Sequence, residues 1–247
     1  MRRNILITGA SSGLGAEMAR QYGSMGRNLA LCARRTDRLE ELRTDLVARY
    51  PSITVSVRQL DVDDHDAVFS TFQAFADELG TLDRVVVNAG IGGGKAIGTG
   101  GFKDNTRVAT TNFVSALAQC EAAMEIFRRQ NSGHLVVVSS LMGVRGFAGS
   151  GGIYAAAKAG ISNLAEGIRA DVHNTPIKVT TIQPGFIATD INKDVKTPLK
   201  AKIGPGVRSI IRASEREKAV ANVPPWPWSV IGPIMRLVPM PLWAKLR

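Results

Sequence analysis

Short runs of Val, Ile and Leu alternate along this chain with longer stretches whose apolar residues recur every three or four positions. The runs at Asn4–Thr8, Asn28–Ala33, Ile53–Val57, Val85–Val87, Leu135–Val138 and Val179–Ile182 are apolar on both side-chain parities, so they predict strands covered on both faces. The longer stretches predict helices over 14–25, 36–49, 63–79, 105–129 and 152–173, with Thr36 and either Asp63 or Asp64 as N-caps. A further helix is predicted over 206–218 and a last strand over 219–223. Strand and helix in strict alternation mean βαβ units with right-handed crossovers. The expected fold is α/β: one doubly wound domain over residues 1–223, with a seven-stranded parallel sheet and helices on both faces. No internal repeat and no linker interrupts it before Pro224.

Composition narrows the class. A chain of 247 residues supports a full core as a single domain. Its hydrophobic fraction of 45% and lack of low-complexity tracts argue for a globular protein. Cys32 and Cys120 stand far apart in apolar surroundings, and His65, His134 and His173 are scattered, so neither a zinc site nor a disulfide framework is expected, and no metal. The segment from Met1 runs straight into the first strand, too short an apolar stretch for a signal peptide, which predicts a cytoplasmic protein.

Charge changes the picture at one end only. The net charge is +10, but residues 193–247 hold eleven Lys/Arg against three acids, so the first 192 residues are close to neutral. The same segment holds all three tryptophans and eight of the eleven prolines. Residues 224–247 therefore form a basic, Trp/Pro-rich apolar tail, broken by proline too often for a spanning helix. Tryptophan with Lys/Arg suits an interfacial segment. Two readings stay open: docking on a membrane surface or lining an apolar substrate entrance, and packing on its own subunit or a neighbour's. The tail lacks the interleaved aromatic platform of a single-strand binder, so no nucleic-acid partner is expected.

Two clusters carry candidate chemistry. Gly9, Ser11, Ser12, Gly13, Leu14 and Gly15 lie between the first strand and the first helix. Glycines there let a phosphate approach the backbone, and the helix N-terminus offers free N–H groups to a pyrophosphate, which favours a dinucleotide in a Rossmann-type half. The second strand ends in Arg34-Arg35 with no acid until Asp37. Arginine there accommodates a 2′-phosphate, so NADP(H) is expected over NAD(H). Tyr154 and Lys158 are the second cluster. Four residues apart on a helix, they share a face, and an ammonium beside a phenol lowers its pKa from ~10.

In order along the chain stand Thr8-Gly9-x-x-x-Gly13-x-Gly15, Asp61-Val62, Asn88-Ala89-Gly90, Asn112, Ser140, Tyr154-x-x-x-Lys158 and Pro184-Gly185. With these the chain resembles the short-chain dehydrogenase/reductase family over residues 4–223. The resemblance implies Tyr154 as catalytic acid/base, Lys158 lowering its pKa and binding the nicotinamide ribose, Ser140 orienting the substrate oxygen, and Asn112 extending a proton relay through its backbone. It implies Asp61 and Val62 at the adenine, Asn88, Ala89 and Gly90 along the ribose, and Pro184, Gly185, Ile187 and Thr189 at the nicotinamide. A substrate loop is implied over about 190–217, and a homodimer or homotetramer. Ser140 precedes Tyr154 by fourteen residues where the family has thirteen, and the run Gly149–Gly152 is expected to hold the extra one. Ser139 points to the opposite side of its strand. The expected activity interconverts a carbonyl and a secondary alcohol on an apolar, lipid-like small molecule. The alternatives are a cofactor-binding scaffold without turnover and a binder of anionic polymers.

Overall fold

The computed structural model describes residues 2–189, 191 and 197–245. The expected substrate loop thus lies partly outside the described residues. Seven strands form one parallel sheet: β1 (Asn4–Thr8), β2 (Asn28–Ala33), β3 (Val55–Gln59), β4 (Arg84–Val87), β5 (His134–Val138), β6 (Lys178–Pro184) and β7 (Val220–Val223), in the order β3-β2-β1-β4-β5-β6-β7. The order reverses between β1 and β4, where Ile7 pairs with Val86. At such a reversal the crossover helices leave on opposite faces, which opens a crevice at the carboxyl ends of the strands.

Both faces are dry, as the doubled apolar pattern predicts. Ile5, Ile7, Leu29, Leu31, Val86 and Ile182 pack toward α1 (Gly13–Ser24), α2 (Thr36–Arg49) and α7 (Ile203–Glu215). Their neighbours Leu6, Val85, Val87, Leu135 and Val137 pack toward α3 (His65–Leu79), α5 (Ser115–Gln130) and α6 (Gly152–Asp171). The tail forms α8 (Pro225–Leu237), kinked at Trp226, and the short α9 (Met240–Trp243). No helix among the described residues is long and apolar enough to cross a membrane.

Several boundaries move from their sequence-based positions. Thr36 is the first helical residue rather than the cap; Arg35 precedes the helix and caps it with no side chain. Asp64, not Asp63, caps α3 by accepting from the Ala67 N–H at 3.1 Å, because Asp63 is engaged elsewhere. Strand β3 starts two residues late: Ile53 is buried beside Gly23 of α1 instead of joining the ladder. The long helix begins earlier, as α4 (Phe102–Ala109), and passes through one π turn at Thr110–Val114 before α5.

The amino ends of the central strands hold a buried polar lock that no apolar pattern reveals. Arg84 opens β4 and is 1% exposed. Its guanidinium donates to His134 Nδ1 at 2.9 Å, to the Ser214 carbonyl at 3.1 Å and to the Tyr22 hydroxyl at 3.3 Å, and pairs closely with Glu215. Burial, reinforced by Arg84 and Arg2, pushes the His134 imidazole down to about 2. The ring is therefore neutral; Nδ1 accepts from Arg84, which leaves Nε2 to donate to Thr180 Oγ1 at 2.8 Å. His134 is structural, at the end of the sheet opposite the crevice. Removing one partner of a buried, satisfied ion pair strands the other, so Arg84→Leu should destabilise the fold by about 3–5 kcal/mol. Denaturant midpoints at neutral pH measure this, and a loss under ~1 kcal/mol, the range of an exposed pair, would show that the lock is not structural.

Candidate active site

One hydroxyl ties together the two strand ends at the crevice. Thr8 ends β1 fully buried, and its Oγ1 accepts from the N–H groups of Asn88 and Ala89, each at 3.0 Å. Asn88 Nδ2 returns a bond to the Thr8 carbonyl at 2.8 Å. The chain then turns at Gly9 with φ +65°, where a Cβ would lie 2.9 Å from Ala89 Cα. At Gly15 a Cβ would lie 2.4 Å from the Gly9 carbonyl oxygen. Only glycines allow strand, turn and helix to close this tightly. Ser12 precedes α1 without capping it, so the first-turn amides keep no side-chain partner there and face the crevice as an anion cradle.

The two arginines after β2 divide the surroundings of that cradle. Arg35 reaches back over the turn, its Nη2 donating to Ser12 Oγ at 2.7 Å and to Ser11 Oγ at 3.1 Å. Arg34 lies toward Asp61, at 4.0 Å. A guanidinium and two hydroxyls converging on one exposed point form a donor set for a phosphate. Leu14, Val62, Asn88, Ala89 and Gly90 line the same crevice.

Farther in, the π turn presents Asn112, which is fully buried. Its amide donates to the Ile91 carbonyl at 2.8 Å and accepts from the Ile91 N–H at 3.2 Å. A Cβ on Gly90 would lie 2.6 Å from Asn112 Oδ1, so the glycine is what lets the turn come so close. Asp63 holds the turn from outside, accepting from Ser115 Oγ at 2.6 Å and from Thr111 Oγ1 at 2.8 Å. This clamp was hidden in the sequence, where Asp63 reads only as a helix cap.

Strand β5 and helix α6 build the floor. Lys158 Nζ donates to the Val138 carbonyl at 2.9 Å. Ser139 Oγ donates to the Lys158 carbonyl at 2.8 Å, which ties α6 to the strand end and gives this serine a structural duty. Ser140, on the other side, hydrogen-bonds the Tyr154 phenol and accepts from the Met142 N–H at 3.1 Å. Two 3₁₀ turns, Leu141–Val144 and Gly149–Gly151, take up the chain between Ser140 and α6.

The pKa expectation for the pair is corrected. Burial pushes the Tyr154 phenol up, and the Ser140 hydrogen bond only partly opposes it. Burial pushes the Lys158 amine down to about 8. The ammonium stands over the ring face, 5.8 Å from its centroid, and spends its hydrogen bond on a carbonyl. Sharing a helical face brings the two together, but in this buried setting desolvation outweighs their mutual field.

Ser11, Ser12, Arg35, Asn112, Ser140, Tyr154 and Lys158 all line one cavity of 640 Å³. At its far end Pro184 closes β6 and Gly185 follows it, and a Cβ on Gly185 would lie 2.2 Å from the Trp228 indole. Thr189 closes on Gly13, within 3.7 Å of where its Cβ would be. Ile187 reaches the cavity but is 2% exposed, its side chain packed on Gly206 in the core. Met142, Phe147, Phe186 and Met235, which no motif singles out, also line the cavity. The tail is not free: Trp228 meets Phe186 edge-on at 5.6 Å, and Trp243 meets Phe147 edge-on at 5.1 Å. Trp243 Nε1 also donates to the Gly146 carbonyl at 2.9 Å, with Arg145 over its ring at 4.9 Å. One end of the cavity is thus a polar, glycine-floored cradle and the other an apolar, aromatic box. The cradle suits a dinucleotide: its shape depends on Gly9, Gly15 and Gly90, where a Cβ would force apart the backbone and side chains that form its walls.

A family model described as short chain dehydrogenase matches residues 3–200. An uncharacterized oxidoreductase of Mycobacterium tuberculosis is 48% identical over 239 residues, 96% of this chain and 94% of that protein. An NADP-dependent 3-hydroxy acid dehydrogenase of Schizosaccharomyces pombe is 29% identical over 196 residues, 77% of this chain and 73% of that one. The crystal structure of an NADPH-dependent 3-quinuclidinone reductase from Rhodotorula rubra superposes with a TM-score of 0.81 at 22% identity, covering 90% of this chain and 89% of that one.

The depressed amine has a stability consequence. The unfolded chain holds the Lys158 proton up to about pH 10.5 and the folded chain only to about 8. Between those values the unfolded state binds more protons, so stability rises with pH; below 8 both states hold the proton and the full penalty stands. Tyr154, raised above 10.0, acts in the opposite sense only above pH 10. Relative to Lys158→Met, the nucleotide-free wild-type chain should gain roughly 1 kcal/mol per pH unit from 8 toward 10. Denaturant melts of the two proteins across this range measure the difference, and a flat difference would contradict a buried amine.

Proposed function

The chain belongs to the short-chain dehydrogenase/reductase family, and from that membership we propose that it interconverts a carbonyl and a secondary alcohol on an apolar, lipid-like small molecule with NADP(H). The observation that carries this reading is the meeting of Ser140, Tyr154 and Lys158 at the point where the glycine-floored cradle joins the aromatic box. Gly9, Gly13, Gly15 and the α1 amides would hold the pyrophosphate; Asp61 and Val62 the adenine; Asn88, Ala89 and Gly90 the adenosine ribose; Pro184, Gly185, Ile187 and Thr189 the nicotinamide. Bound there, the nicotinamide supplies the hydride chemistry.

The chain's own residues manage the proton. In the reducing direction Tyr154 gives its phenolic proton to the substrate oxygen, with the Ser140 hydroxyl holding that oxygen in place. In the oxidising direction the same phenol oxygen takes the proton back. Burial raises the phenol above its ordinary value, so at neutral pH it is protonated, the form that a reductase needs at the start of turnover. Lys158, buried against the strand end, supplies a nearby positive charge once a phenolate forms, and Asn112 extends the relay behind it.

Arg35, with Ser11 and Ser12, supports NADP(H) over NAD(H), as does the relative named for NADP dependence. Met142, Phe147, Phe186 and Trp228 support an apolar substrate. Of the small residues along α6, Ala156 and Ala159 are exposed and suit close helix contact between two or four copies.

A panel of apolar ketones and alcohols followed by nicotinamide absorbance tests the reading. Tyr154→Phe should lose about 10²–10⁴-fold in kcat while still binding NADPH. Arg35→Ala should raise the KM for NADPH about tenfold to a hundredfold, the worth of one charge-assisted contact, and leave that for NADH unchanged. Turnover surviving in Tyr154→Phe would remove the proton donor, and equal losses with both nucleotides would remove the 2′-phosphate contact.

A further inference from the structure

The tail is apolar on both sides. In α8, Trp228, Gly232 and Met235 turn inward at helical spacing and Trp228 and Met235 wall the cavity. The opposite side carries Trp226, Val230, Ile234 and Leu237, continued by Met240 and Leu242 of α9; Leu237 is 80% and Trp226 77% exposed. A helix with apolar residues all round belongs inside a protein or against lipid. The charges choose between these. From Lys218 to Arg247 the chain has four Lys/Arg and no acid, and Arg236 and Lys245 are exposed beside the apolar face. A two-fold contact between copies would set these cations against their own kind with no acid in the segment to pair them. Anionic lipid headgroups supply the missing charge, and tryptophan beside Lys/Arg is the composition of a segment lying in the headgroup plane.

We propose that the outer face of α8 and α9 is a docking surface for an anionic lipid bilayer, with the tail lying flat in the interface. Because the inner face of the same helix walls the cavity, docking sets the mouth of the aromatic box beside the acyl boundary, where an apolar substrate partitions. The prolines at 227, 233, 239 and 241 keep the segment short and kinked, able to lie on the surface and not to span it.

Co-sedimentation of the full chain with phosphatidylcholine vesicles, with and without phosphatidylglycerol, tests the surface. Binding is expected to the anionic vesicles and to fall with salt. Arg236→Gln/Lys245→Gln should weaken it roughly tenfold or more, since each cation near an anionic surface contributes measurably. Ile234→Ser/Leu237→Ser should weaken it by a similar factor at roughly unchanged thermal stability. Wild-type chain that ignores both vesicle types, or variants that bind as well as wild type, would overturn the proposal. An assembly of copies that Ile234→Ser/Leu237→Ser dissociates, without vesicle binding, would give the face to a second copy and overturn it too. The surface does not depend on the nicotinamide reading, and NADPH binding, measured separately on the same variants, should be unaltered.

Discussion

The site rests on one buried ammonium. Lys158 is 5% exposed, and its described hydrogen bond is to the carbonyl that ends β5. Burying a cation costs several kcal/mol, so the surroundings must hold it in place. The end of β5 does so with three consecutive residues. Val138 accepts from the ammonium, Ser139 fastens the backbone of α6 at Lys158 itself, and Ser140 engages the phenol one turn back. A shift of this strand end would therefore misplace the cation, the helix and the phenol together.

The same burial determines how the acid–base pair behaves. In water a phenol beside an ammonium would ionise more readily. Here both groups lose solvent, and the cost of charging each exceeds what their separation returns, so the phenol rises and the amine falls. The chain by itself keeps a protonated donor ready and resists forming phenolate. Ionisation then requires additional positive charge in the cavity, and an oxidised nicotinamide carries it. Under the proposed function, proton release is thereby coupled to the form of the cofactor that is bound.

Much of this was legible in sequence because the constraints are local. Six of the seven strands followed from runs apolar on both side-chain parities, and Gly9, Gly13 and Gly15 announced the cradle because a turn that tight disfavours a Cβ. Tyr154 and Lys158 declared their shared face by spacing alone. What was hidden depends on contacts between distant segments. Arg84 looks like a charge interrupting a strand until Tyr22, His134 and Glu215 surround it. Asp63 looks like a cap until Thr111 and Ser115 come to it from α4–α5. For the tail, composition left open a surface-docking or entrance-lining segment and a packed one, because nothing local says that Trp228 packs on Gly185 and Phe186, or that Trp243 meets Phe147; its inner face became structure, and Trp226, Ile234 and Leu237 on the other side stay exposed. The sign of the Tyr154 shift also escaped, since spacing reports proximity and not burial.

The phenol's own titration bears most directly on this account. The chain has three tyrosines, so the ultraviolet difference between wild type and Tyr154→Phe isolates the Tyr154 signal. In the nucleotide-free chain it should ionise above pH 10, and saturating NADP+ should move that transition to lower pH while NADPH does not. A phenol that already ionises below pH 10 without nucleotide would contradict the account, and so would one indifferent to NADP+.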